Sequence, residues 1–336
     1  MSGPGGIPGA DGTPGGFGTS PGGFGGLPEA LTIGRVGVDL YPEQSGVRLA
    51  EVRTFAKSLG GTATNVAVAA ARLGRRTAVL TKVGPDGFGD YVRIALREFG
   101  VSPDHVATAP NLQTPVVFCE LNPPADPPLL FYRAPIAPDL TLTPADVPWE
   151  VVDDVPLLWV TGTGVSAEPA RGTQHEVLRR RARRTHTVLD IDYRPMFWPD
   201  VGTAGREIGA MIDHVTVVVG NRTEMQVAVG TADPDAAADR LLARGIQLAV
   251  VKRGADGVLV ATESERWTVP PCRVEVVCGL GAGDGFGGAL IHGLLAGWDP
   301  HRIAIYANAA GALVASRLAC ADAMPTTAEI ENLLCE

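Results

Sequence analysis

From residue 31 onward, short β-branched runs alternate with Ala-rich segments of helical length along almost the whole chain. Strands are predicted at residues 32–41, 77–83, 115–121, 157–161, 187–192, 214–219, 248–252 and 257–261. Helices are predicted at residues 64–73, 87–99, 171–184, 236–244, 282–295, 300–318 and 327–334. Nearly continuous apolar strands that alternate with helices are typical of a parallel sheet buried on both faces. The sequence therefore predicts an α/β fold with a mostly parallel central sheet and helices on both of its faces.

Two stretches interrupt this alternation. Residues 42–58 and 112–134 carry apolar runs and turn residues in place of a helical pattern. In the second stretch, two apolar runs flank a turn-rich segment at residues 122–128, which is the arrangement of a hairpin. We expect both stretches to form strands of a small accessory sheet that stands off the main sheet as a β lid.

The N-terminal residues 1–28 differ in composition from the rest of the chain. They contain 12 Gly, 5 Pro and one charged residue, Asp11, and almost nothing that could form a core. Such a segment cannot bury enough apolar surface to offset its loss of chain entropy, so a disordered Gly/Pro-rich tail is expected. The remaining residues, 29–336, are enough for one large α/β domain.

The charge balance excludes some classes of partner. The chain has 28 Lys and Arg against 37 Asp and Glu, a formal net charge of -9. Nucleic acids and anionic membranes are bound mostly through clustered Lys and Arg, so neither is expected as the main partner. The five cysteines show no metal-binding spacing, which favours a reducing compartment and a cytoplasmic protein. The apolar stretch at residues 303–316 is shorter than the roughly 20 residues that span a bilayer.

A glycine-rich turn before a predicted helix carries the most chemical information. Gly279, Gly281 and Gly283 alternate with other residues and are followed by Asp284. Glycines permit positive φ, so successive backbone N–H groups can point at one anion at the helix N-terminus. An acidic side chain would repel a phosphate that was merely bound there. It suits a group that takes a proton from an alcohol during phosphoryl transfer.

Two other interpretations of this turn stay open. Gly283, Gly285 and Gly288 match the GxGxxG pattern of dinucleotide-binding folds, which would make the chain a nicotinamide-dependent oxidoreductase. That pattern normally follows the first strand of its fold, whereas here the first strand runs into Tyr41 and Pro42. A glycine-packed helix start without any ligand would also explain the glycines, though not the acid.

Two motifs together resemble the signatures of the ribokinase-like, or PfkB, family of sugar kinases. The C-terminal one is GAGD at residues 281–284, followed by Phe286, and the N-terminal one is spread over residues 60–67, 73–74 and 82–89. The resemblance covers about residues 31–336 and implies a kinase that uses ATP and magnesium. It implies that Asp284 is the catalytic base. It further implies catalytic roles for the backbone amides of Gly281, Ala282 and Gly283 and for the side chain of Arg194.

The same resemblance implies a nucleotide site in the C-terminal half. Asn221 and Glu224 match the family's NxxE motif and would hold magnesium through water, although such a pair is also a typical capping box. The other residues implied to bind the nucleotide are Lys252, Gly254, Gly257, Gly281, Gly283 and Asn308. Residues 252–257 would also serve as a plain hairpin turn.

For the sugar, the resemblance implies a set of residues from both halves of the chain: Asp39, Gly61, Asn65, Arg133 and Arg194. Asp39 would accept hydrogen bonds from hydroxyl groups. Arg133 and Arg194 would bind a carboxylate, which indicates an acidic sugar. Arg133 has the alternative interpretation of an arginine paired within the accessory sheet. Asp192 stands where Asn is common in the family, so its role is open.

Over the whole chain, the resemblance is greatest to the 5-dehydro-2-deoxygluconokinase branch of the family, which acts in inositol catabolism. It rests on residues 34–42, 160–164, 192–198 and 316–325. It implies phosphorylation of the terminal hydroxyl of 5-dehydro-2-deoxy-D-gluconate to the 6-phosphate. A 2-keto-3-deoxygluconate kinase, a fructokinase, a ribokinase-type neutral sugar kinase and a catalytically silent sugar-binding sensor remain as alternatives.

Two further expectations come from the same resemblance. Many relatives are activated by potassium bound beside the GAGD turn, and they carry Asp or Asn six residues before the catalytic acid, where this chain has Cys278. A thiol is a poor ligand for a hard alkali cation, so weak or absent potassium activation is expected. Lids in this family often pair between subunits, so a homo-oligomer formed through the lid is also expected.

Overall fold

The computed structural model describes residues 26–44, 46–123, 127–184 and 186–335. The predicted disordered tail lies, as far as residue 25, outside the described residues. The strands are β1 Ala30–Ile33, β2 Gly37–Pro42, β3 Phe55–Gly60, β4 Thr77–Val83, β5 Val101–Ser102, β6 Val106–Thr108, β7 Val116–Cys119, β8 Leu129–Tyr132, β9 Leu157–Thr161, β10 Thr187–Asp190, β11 Val217–Asn221, β12 Leu248–Lys252, β13 Val258–Ala261 and β14 Arg266–Val269. The helices are α1 Thr62–Arg72, α2 Gly87–Glu98, α3 Trp149–Asp154, α4 Ala170–Arg181, α5 Val201–Ile212, α6 Arg222–Val229, α7 Pro234–Ala243, α8 Ala282–Leu295, α9 Pro300–Ala315 and α10 Thr327–Cys335.

The main sheet has ten strands and runs in the order β14-β13-β12-β11-β10-β9-β1-β4-β5, with β6 also pairing with β4. All of its pairs are parallel except those that β13 makes with β12 and β14. This confirms the predicted α/β fold with a mostly parallel sheet. Because the sheet is parallel, the carboxyl ends of β1, β9, β10, β11 and β12 meet along one edge.

Helices cover both faces of this sheet, so its strands are buried on both sides. In β9, Leu158 and Val160 belong to a core cluster with residues of α4 and α5, while Leu157 and Trp159 belong to a second cluster with residues of α8 and α9. Successive residues of a strand point to opposite faces, which is why both sets are apolar.

A second, separate sheet has the order β3-β2-β7-β8. Strand β2 pairs antiparallel with β3 and parallel with β7, and β7 pairs antiparallel with β8. Strands β7 and β8 lie within the second irregular stretch, and most of β3 lies within the first. Its remaining strand, β2, comes from a segment that was assigned to the main sheet.

That assignment was wrong, because the predicted strand at residues 32–41 is broken. The chain leaves the main sheet after Ile33 and enters the second sheet at Gly37. Gly34 has φ +152, and a Cβ there would lie 2.7 Å from Thr161 Oγ1 and 3.0 Å from Ala63 Cβ. A glycine is therefore needed for the chain to change sheets at this point, and apolar continuity in the sequence concealed the break.

Several short elements were not predicted, α5 among them. Gly202, Gly205 and Gly209 weaken the helical signal of Val201–Ile212. The structure explains one of them, because a Cβ on Gly205 would lie 2.8 Å from the Val227 carbonyl oxygen of α6. Across the described ranges, none of the helices is both long enough and apolar enough to cross a membrane.

Candidate active site

A small cavity of about 50 Å³ lies where the carboxyl edge of the main sheet faces the second sheet. Its walls come from the β1–β2 junction, β2, β8, the first turns of α1 and α8 and the segment after β10. The polar residues and glycines that line it are Arg35, Asp39, Gly61, Thr62, Asn65, Arg194, Gly281 and Asp284. Five of the residues predicted for the sugar and for catalysis therefore share this cavity with Gly281: Asp39, Gly61, Asn65, Arg194 and Asp284.

Asp284 lies in the first turn of α8, at the bottom of the cavity. Gly281 precedes the helix in the left-handed conformation, with φ 77, and turns the chain into it. Asn65 Nδ2 donates a hydrogen bond of 2.8 Å to Asp284 Oδ2. Burial raises the pKa of Asp284 to about 6, although the hydrogen bond from Asn65 and the charges of Arg194 and Arg35 act to lower it. The carboxylate is thus ionised at neutral pH and more basic than an ordinary one, as a general base requires.

The backbone before and within the first turn of α8 offers N–H groups to an anion. The first N–H groups of a helix have no intrahelical acceptor and carry the positive end of the helix dipole. Lys252 lies over the same turn, since a Cβ on Gly283 would be 3.1 Å from Lys252 Nζ. Burial acts to lower the pKa of Lys252, but the carboxylates of Asp190 and Glu224 outweigh it and raise that pKa. A permanent positive charge therefore stands beside the amides.

The other glycines of α8 have a packing role. A Cβ on Gly288 would lie 2.2 Å from Ala69 Cβ of α1, and one on Gly285 would lie 2.7 Å from Val314 Cγ2 of α9. These contacts let α8 pack closely between its neighbouring helices. This packing explains Gly285 and Gly288, two of the three glycines that match GxGxxG, without a bound dinucleotide. In a dinucleotide-binding fold the first strand would lead into the glycine-rich turn, whereas here β1 leads into the second sheet.

Asp39 faces the cavity from β2 of the second sheet. A Cβ on Gly60, in the adjacent strand β3, would lie 2.2 Å from Asp39 Oδ1, so a glycine is required beside the carboxylate. Burial raises the pKa of Asp39 to about 7, with Arg35 opposing this shift and Asp284 adding to it. Gly61 has φ 103 and brings the start of α1 against the backbone of Arg35.

Asp192, which stands where Asn is common in the family, forms ion pairs with two arginines. Its Oδ1 accepts a hydrogen bond of 3.0 Å from Arg194 Nε, and its Oδ2 accepts one of 3.3 Å from Arg35 Nη2. Oδ2 also accepts a bond of 2.8 Å from Thr163 Oγ1. Burial acts to raise the pKa of Asp192, but Arg35 and Arg194 outweigh it and hold that pKa below its usual range.

Arg35 is a cavity residue that the sequence analysis missed. It lies in the three-residue junction between β1 and β2 and is 7 % exposed. Its Nη2 also donates a bond of 2.5 Å to Thr62 Oγ1. The signal available in the sequence was an arginine inside an apolar run, immediately after a glycine that interrupts it.

Arg133 is not among the residues that line the cavity. Its Nη2 donates to both carboxylate oxygens of Asp139, at 2.9 and 2.8 Å, and both side chains are buried. Burial lowers the pKa of Arg133, while Asp139 acts to raise it. The geometry agrees with the alternative interpretation of a structurally paired arginine, although the partner is Asp139 of the following segment and not a residue of the second sheet.

Asn221 and Glu224 form a capping box at the start of α6. Glu224 N donates to Asn221 Oδ1 at 2.9 Å, and Asn221 N donates to Glu224 Oε2 at 2.6 Å. Asp190, at the end of β10, is buried nearby, and within the described part of the chain its Oδ1 has no hydrogen-bond partner. Burial raises the pKa of Asp190, while Lys252 acts to lower it.

This corner fits a magnesium ion that is held through water and phosphate oxygens. The carboxyl groups of Asp190, Glu224 and Asp284 all lie close enough to act on Lys252, and oxygen is the ligand that magnesium prefers. Among the residues that the structure describes, no cluster of three or more His, Cys, Asp or Glu side chains is arranged to bind a metal directly. Magnesium sites that rely on substrate phosphates need no such cluster.

The remaining predicted nucleotide residues lie around the β13–β14 hairpin. Gly257 has φ 84, and a Cβ there would be 2.0 Å from the Val269 carbonyl oxygen, so its glycine closes the turn between β12 and β13. Gly254 has φ 60 and begins the short helical turn before it. Asn308 Nδ2 donates to the Pro270 carbonyl oxygen at 2.6 Å. Gly257 and Asn308 therefore both contact residues 269–270, and contact of any of the three residues with a nucleotide stays a prediction.

A buried carboxylate beside helix N-terminal amides and a lysine, in a cavity closed by a second sheet, is typical of a small-molecule phosphotransferase. The model of the pfkB family of carbohydrate kinases matches residues 28–327, and the chain belongs to this family. It is an ATP-dependent sugar kinase. The assignment confirms the family resemblance that the two glycine-rich signatures indicated.

Two relatives with the same curated name are similar to this chain over most of its length. A 5-dehydro-2-deoxygluconokinase from Photobacterium profundum is 36% identical over 307 residues, covering 89% of this chain and 92% of the relative. One from Geobacillus thermodenitrificans is 30% identical over 311 residues, covering 90% and 92%. Among solved structures, a fructokinase with bound ATP from Xylella fastidiosa has a TM-score of 0.80 and 25% identity, covering 92% of this chain and 99% of that one.

Proposed function

We propose that this kinase phosphorylates the terminal hydroxyl of 5-dehydro-2-deoxy-D-gluconate, with ATP as the phosphoryl donor, to give the 6-phosphate. The observation that carries the proposal is the cavity itself, which joins the base Asp284 to the guanidinium group of Arg35. A kinase for neutral sugars has no need of such charge on the sugar side. The names of the relatives support the same substrate.

In the proposed reaction, Asp284 accepts the proton of the terminal hydroxyl as its oxygen attacks the γ-phosphorus. A new P–O bond forms to the sugar, and the bond between the γ-phosphorus and the bridging oxygen of ADP breaks. The amides of Gly281, Ala282 and Gly283, together with Lys252 and Arg194, stabilise the charge that develops on the phosphoryl oxygens. Asp39 and Asn65 position the sugar hydroxyls.

Magnesium, when bound with the phosphates, neutralises part of their charge; Asn221, Glu224 and Asp190 are the residues that would hold it through water. Gly254, Gly257 and Asn308 would border the adenine. The proposal also includes closure of the second sheet over the sugar, which would exclude water and limit ATP hydrolysis.

The substrate can be tested by measuring ADP release with a panel of sugars at fixed ATP and magnesium. We expect kcat/KM to be highest for 5-dehydro-2-deoxygluconate and about 10- to 150-fold lower for its neutral carboxamide, because one charged hydrogen bond contributes about 1.5 to 3 kcal/mol. Fructose and ribose provide the neutral comparison. Equal efficiency on the acid and the neutral sugars would contradict the acidic substrate, and no turnover of any sugar would identify a sensor.

Potassium should have little effect on turnover. Cys278 is fully buried in a cluster with Tyr41, Cys119 and Cys320, and burial raises the pKa of its thiol, so a neutral sulfur stands where relatives offer oxygen. We expect similar kcat in potassium and in a bulky organic cation at equal ionic strength. The comparison is repeated with Cys278→Asn, which restores an oxygen ligand. A large potassium stimulation of the wild type would contradict the prediction.

Two properties of the intact protein are part of the proposal. Leu130 and Tyr132 of β8 are 47% and 60% exposed, which is consistent with a homo-oligomer formed through the second sheet. The cysteines at 119, 272, 278, 320 and 335 are all free thiols. Free thiols fit a cytoplasmic enzyme, because a reducing compartment keeps them unpaired.

A further inference from the structure

Arg35 lines the sugar cavity and has one buried donor that forms no hydrogen bond within the described residues. Its Nη2 bonds to Thr62 Oγ1 and Asp192 Oδ2, but its buried Nε has no acceptor within the described residues. A buried N–H of a charged group without an acceptor is costly, more so than for a neutral group. Because Arg35 lines the cavity and is 7% exposed, a ligand in the cavity can contact its guanidinium group.

The surroundings of Arg35 fix the orientation of its guanidinium. The carbon Cζ lies 6.0 Å from the ring centre of Phe131 and 5.6 Å from that of Phe197. These aromatic rings, with Thr62 and Asp192, hold the group before any substrate binds. A planar donor held in this way suits a planar carboxylate, and little side-chain entropy is lost on binding.

The other two arginines are committed elsewhere. Arg133 is paired with the buried carboxylate of Asp139 through both oxygens. Arg194 is 40% exposed in its side chain, and after Asp192 the carboxylates that act on it most are Glu224 and Asp284, on the phosphate side of the cavity. Arg35 acts on Asp39, on the sugar side.

The charged groups around Arg35 also favour binding of a carboxylate beside it. Asp192 forms one ion pair with Arg35 and another with Arg194, so its carboxylate is shared between two guanidinium groups. A bound carboxylate would add a second anion beside them. The cavity is also lined by Asp39 and Asp284, which would repel a carboxylate and accept hydroxyl groups instead.

We propose that Arg35 binds the carboxylate of the substrate and determines the preference for sugar acids, while Arg194 acts on the transferring phosphoryl group. This inference rests on the proposed function and names the residue responsible for its specificity. It places the carboxylate of the sugar at the β1–β2 junction and the reacting hydroxyl at Asp284, so the substrate lies along the cavity between them.

The test compares kcat/KM for 5-dehydro-2-deoxygluconate with kcat/KM for its carboxamide in four forms of the full-length enzyme, the wild type and three variants. In Arg35→Met the acid-to-amide ratio should fall about 10- to 150-fold, mainly through the KM of the acid. Arg35→Lys keeps the charge but lacks the planar donor and should retain part of the preference. The control is Arg133→Met combined with Asp139→Leu, which removes both members of a buried pair and leaves no charge unpaired.

Each outcome separates this inference from the proposed function. A wild type that prefers the acid, with the ratio unchanged in Arg35→Met, overturns the role of Arg35 and leaves the substrate intact. Equal losses on acid and amide show a structural role and also overturn it. Loss of the ratio in the Arg133/Asp139 variant would assign the carboxylate to Arg133. A wild type without preference overturns the proposed substrate. If Arg35→Met does not fold, the acid-to-amide ratio of Arg35→Lys is measured instead. A ratio below that of the wild type supports the role of Arg35, and an unchanged ratio overturns it.

Discussion

Replacing Asp284 with Asn should lower kcat by about 10²- to 10⁴-fold, which is the usual contribution of general-base catalysis. The substitution keeps the shape of the side chain and still offers an oxygen to Asn65 Nδ2, which is 2.8 Å from Asp284 Oδ2. It removes only the ability to accept the proton of the sugar hydroxyl. ATP affinity, measured by equilibrium titration, should stay within about threefold, because uniform binding of the nucleotide does not depend on this proton transfer.

The matched control is Asp299→Asn. Asp299 caps the next helix, α9, by accepting from Arg302 N at 2.9 Å, and Asn caps helices equally well. This variant should have the kcat of the wild type. Near wild-type turnover in Asp284→Asn would remove Asp284 from the mechanism.

Replacing Asp39 with Asn should weaken catalysis and strengthen the fold at the same time. Asp39 would bind sugar hydroxyls through charge-assisted hydrogen bonds, so kcat/KM should fall about 10- to 100-fold. Its folded-state pKa of about 7 lies above the ordinary value of 3.8 because the carboxylate is buried. Ionising this group therefore destabilises the folded protein.

The sign of the pH dependence follows from proton binding. Between pH 3.8 and about 7, the folded state binds more protons at Asp39 than the unfolded state does, so stability decreases as the pH rises through this window. At 1.36 kcal/mol for each unit of pKa, the full loss above pH 7 is about 4 kcal/mol. Asp39→Asn lacks this carboxylate and should be more stable than the wild type at pH 8, by up to that amount, and equally stable near pH 4.

Denaturant unfolding of both proteins at pH 8 and pH 4 measures this difference. The pH profile of kcat/KM is a second measurement. In the wild type it should fall below pH 7 and again below pH 6, where Asp39 and Asp284 take up protons. In Asp39→Asn the fall near pH 7 should be absent. If Asp39→Asn is less stable than the wild type at pH 8, the attraction between Asp39 and Arg35 outweighs the cost of burying the carboxylate, and the prediction is wrong.

Both predictions reflect one electrostatic arrangement. The buried carboxylates of Asp39, Asp190, Asp192 and Asp284 stand against three cations, Arg35, Arg194 and Lys252. Burial raises the pKa of three of these carboxylates, Asp39, Asp190 and Asp284, above the ordinary value. Bound hydroxyl groups, phosphates and a divalent ion would compensate these charges. Without them, the free enzyme is less stable than it would be if these positions were uncharged.

Much of this site could be inferred from local sequence. The glycines and the acid at residues 281–284 lie within one helix turn, and the geometry of a helix N-terminus is set by neighbouring residues along the chain. The capping box of Asn221 and Glu224 and the alternation of strands with helices are local in the same sense. These features predicted the α/β fold and the kinase class correctly, and the role of Asp284 as the base stays a prediction.

The residues that surround the sugar depended on contacts between distant segments. Arg35 meets Thr62 and Asp192, which lie 27 and 157 residues away in sequence, and Asp284 meets Asn65 across 219 residues. Arg133 faces Asp139 because of the path the chain takes after β8, and one glycine, Gly34, directs β2 out of the main sheet. An arginine in a sequence has a known charge but no known partner. Its partner is set by the packing of both sheets, and the strength of an ion pair depends on the distance and burial that this packing creates.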